Sequence, residues 1–202
     1  MKRTLRIALL LSFACAVLAA SSNFAQAQKV DLAFGLSTIN APSASSETGN
    51  HVPASLNGGS YPGISGDVLF FHNLGIGADI FWKGSRADYQ GDINTPIRPI
   101  FFDFNAVYSP KIVTRTYLEL VGGIGALDTR VYAQGCGNGV TTNFCSDKHF
   151  MADLGGGIKF YPKGGIFIRP EARVYLVNNN LHFSSARATR YGLSIGYTFG
   201  HH

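Results

Sequence analysis

Ten residues close to the C-terminal end, 190–199, alternate without a break. Tyr191, Leu193, Ile195, Tyr197 and Phe199 fall on one side, and Arg190, Gly192, Ser194, Gly196 and Thr198 on the other. A period of two belongs to a β-strand, whose successive side chains point to opposite faces. Such a strand needs an apolar medium on one face only. Whether that medium is a protein core or a bilayer is decided by the rest of the chain.

Seven earlier segments repeat the pattern: residues 29–38, 64–71, 74–83, 97–108, 114–126, 149–161 and 166–176. In the first, Val30, Leu32, Phe34 and Leu36 oppose Asp31, Ala33, Gly35 and Ser37. The connections alternate in length. Residues 71–73, 109–113 and 162–165 are short and carry turn-forming Asn, Pro and Gly. Residues 39–63, 84–96, 127–148 and 177–189 are long and largely polar. An even strand number with short turns at one end and long loops at the other predicts an all-β fold. The expected form is an eight-stranded antiparallel up-and-down transmembrane β-barrel. No later segment is apolar enough for a spanning helix.

The charges set the direction of the faces. Asp67, Asp79, Asp103, Glu119, Asp153 and Glu171, with Arg115, Lys159, Arg169, Arg173 and Arg190, all fall on the non-apolar side. In a soluble barrel or two-sheet sandwich that side would meet water. In a membrane barrel it faces the lumen, which eight strands make just wide enough for side chains to fill. The expectation is a lumen plugged by paired charges. The aromatics favour the membrane form. Phe70, Tyr108, Phe160, Tyr197 and Phe199 project near the short-turn end of the outer face, and Trp82, Phe150 and Tyr191 near the long-loop end. Two such girdles mark the two interfaces of a membrane barrel.

The N-terminus reads as a secretory signal peptide. Lys2, Arg3 and Arg6 precede an apolar run over 7–20, and Ala25-Gln26-Ala27 offers a small-residue cleavage site before Gln28. Cys15 lies within the apolar run, and Ser12-Phe13-Ala14 before it is a poor lipoprotein match. Residues 1–27 are thus expected to be removed, leaving one barrel domain over 28–202. The signal takes three of the 17 Lys and Arg, so the mature chain has 14 against 12 acids. That balance, with no basic cluster interleaved with aromatics, gives no reason to expect nucleic acid as a partner. Cys136 and Cys145 remain after cleavage, and an oxidising compartment allows them to pair. A ring near this size would restrict the third long loop by roughly 2–3 kcal/mol of unfolded-state entropy.

On Phe101-Phe102-Asp103-Phe104-Asn105, on Arg169-Pro170-Glu171-Ala172-Arg173 and on the ending Gly192-Leu193-Ser194-Ile195-Gly196-Tyr197-Thr198-Phe199, the chain resembles a known family. That family is the bacterial outer-membrane β-barrel proteins of the eight-stranded, OmpA-like transmembrane kind. The resemblance covers about residues 29–199. It implies a place in the outer membrane of a Gram-negative cell, among outer-membrane lipids and lipopolysaccharide. It also implies reading of the terminal aromatic strand by the outer-membrane assembly machinery, although Gly200, His201 and His202 follow Phe199 here. The family's peptidoglycan-binding domain has no counterpart in the sequence.

Three functions follow from this reading. The first is a non-enzymatic barrel, structural or presenting four loops for adhesion or recognition of an unidentified extracellular ligand. The second is a small passive, porin-like pore. The third is a lipid A-modifying enzyme, because one such deacylase family carries a His-x-Ser pair near its last strand, and His182-Phe183-Ser184 has that spacing. Ser–His chemistry also needs an acid to orient the imidazole, and residues 184–202 contain no Asp or Glu. No catalytic site is assigned. Nor is a cofactor or metal: Gly122-Gly123-Ile124-Gly125 and Gly155-Gly156-Gly157 lie within strands, and two cysteines with His149 do not complete a metal site.

Overall fold

The computed structural model describes residues 29–41, 56, 58–71, 73–89, 92–132, 145–178 and 187–200. Ten strand segments follow one another: β1 (Lys29–Asn40), β2 (Tyr61–Phe71), β3 (Leu74–Trp82), β4 (Ala87–Tyr89), β5 (Asp92–Tyr108), β6 (Lys111–Val113), β7 (Thr116–Val131), β8 (Cys145–Lys163), β9 (Ile166–Val177) and β10 (Arg187–Phe199). β4 and β6 are three-residue pieces that pair with the ends of β5 and β7. The other eight form the wall, each antiparallel to its neighbours, in the cyclic order β5-β3-β2-β1-β10-β9-β8-β7 with β7 back on β5. The sheet is a closed eight-stranded barrel.

The stagger of the ring can be walked from neighbour to neighbour. From Lys29 the pairs run through Leu69, Gly75, Val107, Val121, Gly155, Arg173 and Arg190 and return to β1 at Ile39. One circuit therefore climbs from residue 29 to residue 39, ten residues. Closure with such a stagger inclines the strands, typically by about 35–45° to the axis.

The outer surface of the middle of the barrel is apolar. Phe34, Ile76, Phe104, Ile124, Leu154, Leu193 and Ile195 are all exposed, with Leu154 at 72 % and Phe104 at 70 %. A continuous band of this kind around a protein needs a hydrocarbon medium to cover it. The inward neighbours are buried, including Asp31, Asp67, Asp79, Asp103, Glu119, Lys159, Arg169 and Arg173. Glycines on the inner wall make room for them. A Cβ on Gly155 would lie 2.5 Å from Arg173 Cγ, and one on Gly157 would lie 3.2 Å from Arg169 Cγ.

Toward the long-loop end the polarity of the two faces reverses. Ile39, Tyr61, Ile97, Leu127, Val177 and Ala188 point inward and are buried, while Asn40, Ser60, Asn178 and Arg187 are exposed. The ladder itself continues unbroken, for instance from Phe102↔Ala126 to Ile97↔Val131 and from Ala126↔Phe150 to Val131↔Cys145. β8, at 19 residues, is well beyond the 9–11 residues that a tilted spanning strand needs. The barrel thus projects past the hydrocarbon, and there it adopts the apolar-in arrangement of a water-soluble barrel. This reversal places β5, β7, β8 and β10 over residues 92–96, 127–131, 145–148 and 187–189, which the sequence pattern assigns to long connections.

At the other end, Asn73 and Gly164 turn the chain at φ 67° and 56°. The turn before β7 is Thr114–Arg115, where the sequence pattern expects strand. Arg115 is exposed there and donates to the Pro162 carbonyl at 3.4 Å. It is not one of the lumen charges, because the alternation that would turn it inward starts only after the turn.

Adjacent residues 154 and 155 separate the two packing demands. Leu154→Arg puts a guanidinium into hydrocarbon and is expected to cost about 2–4 kcal/mol. Gly155→Val overfills the notch beside Arg173 and is expected to cost at least about 1–3 kcal/mol. Equilibrium unfolding in lipid vesicles, followed by Trp82 fluorescence, measures both. An unchanged Leu154→Arg variant would mean that the outer band meets water.

Candidate functional site: an occluded lumen

Three layers of buried inward side chains lie along the bore. At the short-turn end Tyr117, Tyr161 and Phe167 form an aromatic floor with Ala33, their rings 5.3 Å and 5.7 Å apart. Leu69, Val107 and Val121 close the opposite wall at that end. At the long-loop end a larger apolar roof gathers Ile39, Leu56, Tyr61, Ile97, Phe101, Leu127, Met151, Tyr175 and Val177. Leu56 enters it from the connection between β1 and β2, fastened by Tyr61, whose hydroxyl donates to the Leu56 carbonyl at 2.7 Å.

Between floor and roof lies the ionic layer. Lys159 Nζ contacts Asp31 at 2.5 Å, Asp67 at 3.3 Å, and Glu119. Arg169 pairs with Glu119 at 2.7 Å and Asp67 at 3.5 Å, and also donates to Ser65 at 2.7 Å and Ser194 at 3.1 Å. Higher up, Arg173 lies 2.7 Å from Asp79, 3.3 Å from Asp103 and 3.6 Å from Asp153. Asn105 donates to Asp79 at 2.8 Å and to Asp103. Glu171 joins Arg190 at 2.8 Å to Arg169 at 3.3 Å. Arg190 then links the ionic layer to the roof, its guanidinium 3.6 Å from the Phe81 ring centroid and 5.7 Å from that of Tyr175.

Four of the seven acids are segregated from the bases by strand. Asp31, Asp67, Asp79 and Asp103 come from β1, β2, β3 and β5, and all four bases come from β8, β9 and β10. Laterally, like faces like: Asp31 is the neighbour of Asp67, Asp79 of Asp103, and Arg173 of Arg190. Like charges directly opposite each other in a sheet repel. The compensating partners stand across the bore, so Lys159, Arg169 and Arg173 tie the C-terminal half of the wall to the N-terminal half.

Of the eleven charges named from the sequence, Arg115 is not in this layer, and the other ten, Asp67, Asp79, Asp103, Glu119, Asp153, Lys159, Arg169, Glu171, Arg173 and Arg190, are buried inside it. Asp31 belongs with them. Its parity with Ala33, Gly35 and Ser37 was the available signal. The separation of acids from bases was also open to view, since every base of the ionic layer follows residue 150 and four of its acids precede residue 105. What no spacing reveals is the partner choice. Glu171 and Arg173, two apart on one strand, serve different clusters.

On the outer wall, Phe70, Tyr108, Phe160, Tyr197 and Phe199 are exposed near the short turns, and Phe150 and Tyr191 near the long connections. Trp82, half-buried, pairs with Ile100 at the latter end. Cys145 is disulfide-bonded, while Cys136 lies outside the described residues, as do residues 1–27, expected to be a signal segment, and the His182–Ser184 pair. Among the described residues no group of His, Cys, Asp or Glu is arranged to hold a metal ion.

No protein-family model matches the chain, and no curated protein sequence matches it either. Solved structures do. Neisserial surface protein A superposes with a TM-score of 0.57 at 11 % identity, over 85 % of this chain and 97 % of its own. The N-terminal β-barrel domain of Pseudomonas aeruginosa OprF gives 0.55 at 13 % identity, over 86 % and 98 %. Ail, the attachment invasion locus protein of Yersinia pestis, solved with the heparin analogue sucrose octasulfate, gives 0.53 at 11 % identity, over 85 % and 97 %. The fold is that of the eight-stranded bacterial outer-membrane barrels. At these identities the likeness extends to the wall and its strand order, and the lumen chemistry has to be argued from this chain alone.

Arg173 offers the sharpest test of the ionic layer. Arg173→Met leaves Asp79, Asp103 and Asp153 facing one another and is expected to cost about 3–5 kcal/mol. Adding Asp79→Asn and Asp103→Asn should restore most of that loss, a coupling that unfolding in detergent measures. Additive losses would mean that the three carboxyls do not depend on the guanidinium.

Proposed function

We propose that this protein is a non-conducting, non-enzymatic barrel of the bacterial outer membrane, whose working surface is its long-loop end. The observation that carries the reading is the filling of the bore at three levels. Lys159 and Arg169 are 0 % exposed, and Tyr61, Phe101 and Tyr175 close the roof above them. A solute path would have to break ion pairs and displace apolar packing together. The charged groups most like a catalytic cluster are sealed from substrate by the same layers. Function is thereby left to the projecting rim and the loops it carries.

Export through the 1–27 signal, with the four long connections on the cell exterior, fits the fold and its outer-membrane likenesses. The outer band would contact outer-membrane lipids and lipopolysaccharide. β10, ending in Tyr197-Thr198-Phe199, would be the strand that the assembly machinery reads. A bond between Cys145 and Cys136 would tether the third loop to the top of β8. Attachment is the activity named for one of the similar barrels, Ail, and adhesion or recognition through the loops is the role proposed here.

Planar-bilayer recording separates this reading from a pore. The wild-type protein, shown to be folded by faster migration before boiling, is expected to give no discrete conductance steps. Reproducible steps from the wild type would replace the structural reading with a channel.

A further inference from the structure

The short-turn end of the barrel carries a feature that loop recognition leaves unused. A cavity of about 290 Å3 opens there, lined by Lys111, Thr114, Arg115, Tyr117, Tyr161 and Gly164. Lys29 reaches over the same floor, its Nζ 5.2 Å from the Tyr117 ring centroid. The turns around it, residues 72–73, 109–115 and 162–165, contain no Asp or Glu, nor do residues 200–202. The closest acids along the chain, Asp31 and Glu119, are buried and committed to Lys159 and Arg169. Among the described residues the mouth is therefore a positive rim on an aromatic floor, with no acidic side chain of its own.

The backbone adds an independent sign. Arg115 sits at φ 65°, and Asn73 is the other non-glycine residue among those described with positive φ. Asn tolerates that region through its short polar side chain, whereas Arg does not. A Gly would relieve the turn. Keeping Arg in a strained position is the pattern found where a side chain has a task. Next to it Ile112 and Val113 are 55 % and 58 % exposed, at the end of the lipid-facing band and beside exposed Phe160 and Tyr108. A turn that pairs bare aliphatics with two cations suits the boundary between acyl chains and headgroups. A freely dissolved anion would give the aliphatics nothing to do.

We propose that this mouth is a phosphate-binding site for the headgroup of an anionic phospholipid in the adjoining leaflet. Lys111 and Arg115 hold the phosphate, with Lys29 on its inner side, while Ile112 and Val113 rest against the acyl chains. Arginine suits phosphate because its planar fork can donate two hydrogen bonds at once.

Native mass spectrometry of the full mature protein in detergent provides the test, with phosphatidylglycerol as probe. Diacylglycerol of the same chains and inorganic phosphate serve as comparators. The expected result is one retained phosphatidylglycerol per chain, little diacylglycerol, and no displacement by millimolar phosphate. In Lys111→Ala/Arg115→Gly the retained fraction should fall about tenfold, the loss of charge-assisted bonds worth a factor of that order. Its unfolding midpoint should be equal or higher, because Gly relieves the turn. Three results would overturn the site: full retention by the double variant, equal retention of diacylglycerol, or displacement by phosphate alone, which would make it a free-anion site. Lipid loss with a lowered midpoint would also overturn it, marking Arg115 as a turn residue only.

Discussion

Hydrocarbon offers a backbone no hydrogen-bond partner, so a sheet that crosses it must have no edge. Here the seam is β1 on β10, an unbroken ladder from Val30↔Phe199 to Asn40↔Thr189. The two ends of the domain must meet before either has a stable place in the membrane. Closure with eight strands and a stagger of ten then sets the bore. A bore of this width is just wide enough for side chains to fill. The packing of the interior follows from that arithmetic.

The change of medium along the axis accounts for the layering. Within the bilayer the wall is apolar outside, so the side chains that distinguish inside from outside are polar and lie within. Beyond the bilayer water takes over the outer face, and the inner face becomes apolar, as Ile39, Tyr61, Phe101 and Leu127 show. The hydrogen-bond ladder does not register the change. It runs through both zones and carries a rigid rim outward, with Leu56 drawn down into the roof from its connection. In the recognition role proposed for this end, an anchor at Leu56 would lower the ordering that binding must otherwise supply.

Much of the wall was legible because a strand's period is two and a bilayer enforces it strictly. Leu32 out and Asp31 in, Phe104 out and Asp103 in, follow from parity alone. Parity failed where the chain turns, at Arg115, since a turn resets the count. The pattern also lost the strand ends, because beyond the bilayer its sign reverses and Leu127 or Tyr61 reads as part of a loop. The pairs of the ionic layer were not legible at all. Lys159 meets Asp31 across the bore because of the stagger and the diameter, and neither is written in local spacing.

The lumen chemistry also determines which register the strands adopt. A slip of one residue would turn Lys159, Arg169 or Arg173 toward lipid, at about 2–4 kcal/mol for each base. Such a slip is excluded by charge. A slip of two residues keeps every face correct, so charge alone would permit it. Size does not. Several inward side chains have a glycine as lateral neighbour: Arg173 opposite Gly155, Glu171 opposite Gly157 and Gly192, Phe167 opposite Gly196, Asp153 opposite Gly123, and Asn105 opposite Gly77 and Gly123. Moving β9 two places along β8 would take Arg173 out of the Gly155 notch and bring either Tyr175 or Glu171 against it. Odd slips are thus blocked by electrostatics and even slips by volume. The like-charged neighbours, Asp79 beside Asp103 and Arg173 beside Arg190, complete the logic. They repel within each half of the wall until the ring closes and brings the opposite half into reach, so the ionic layer favours the closed barrel over any open sheet of the same strands.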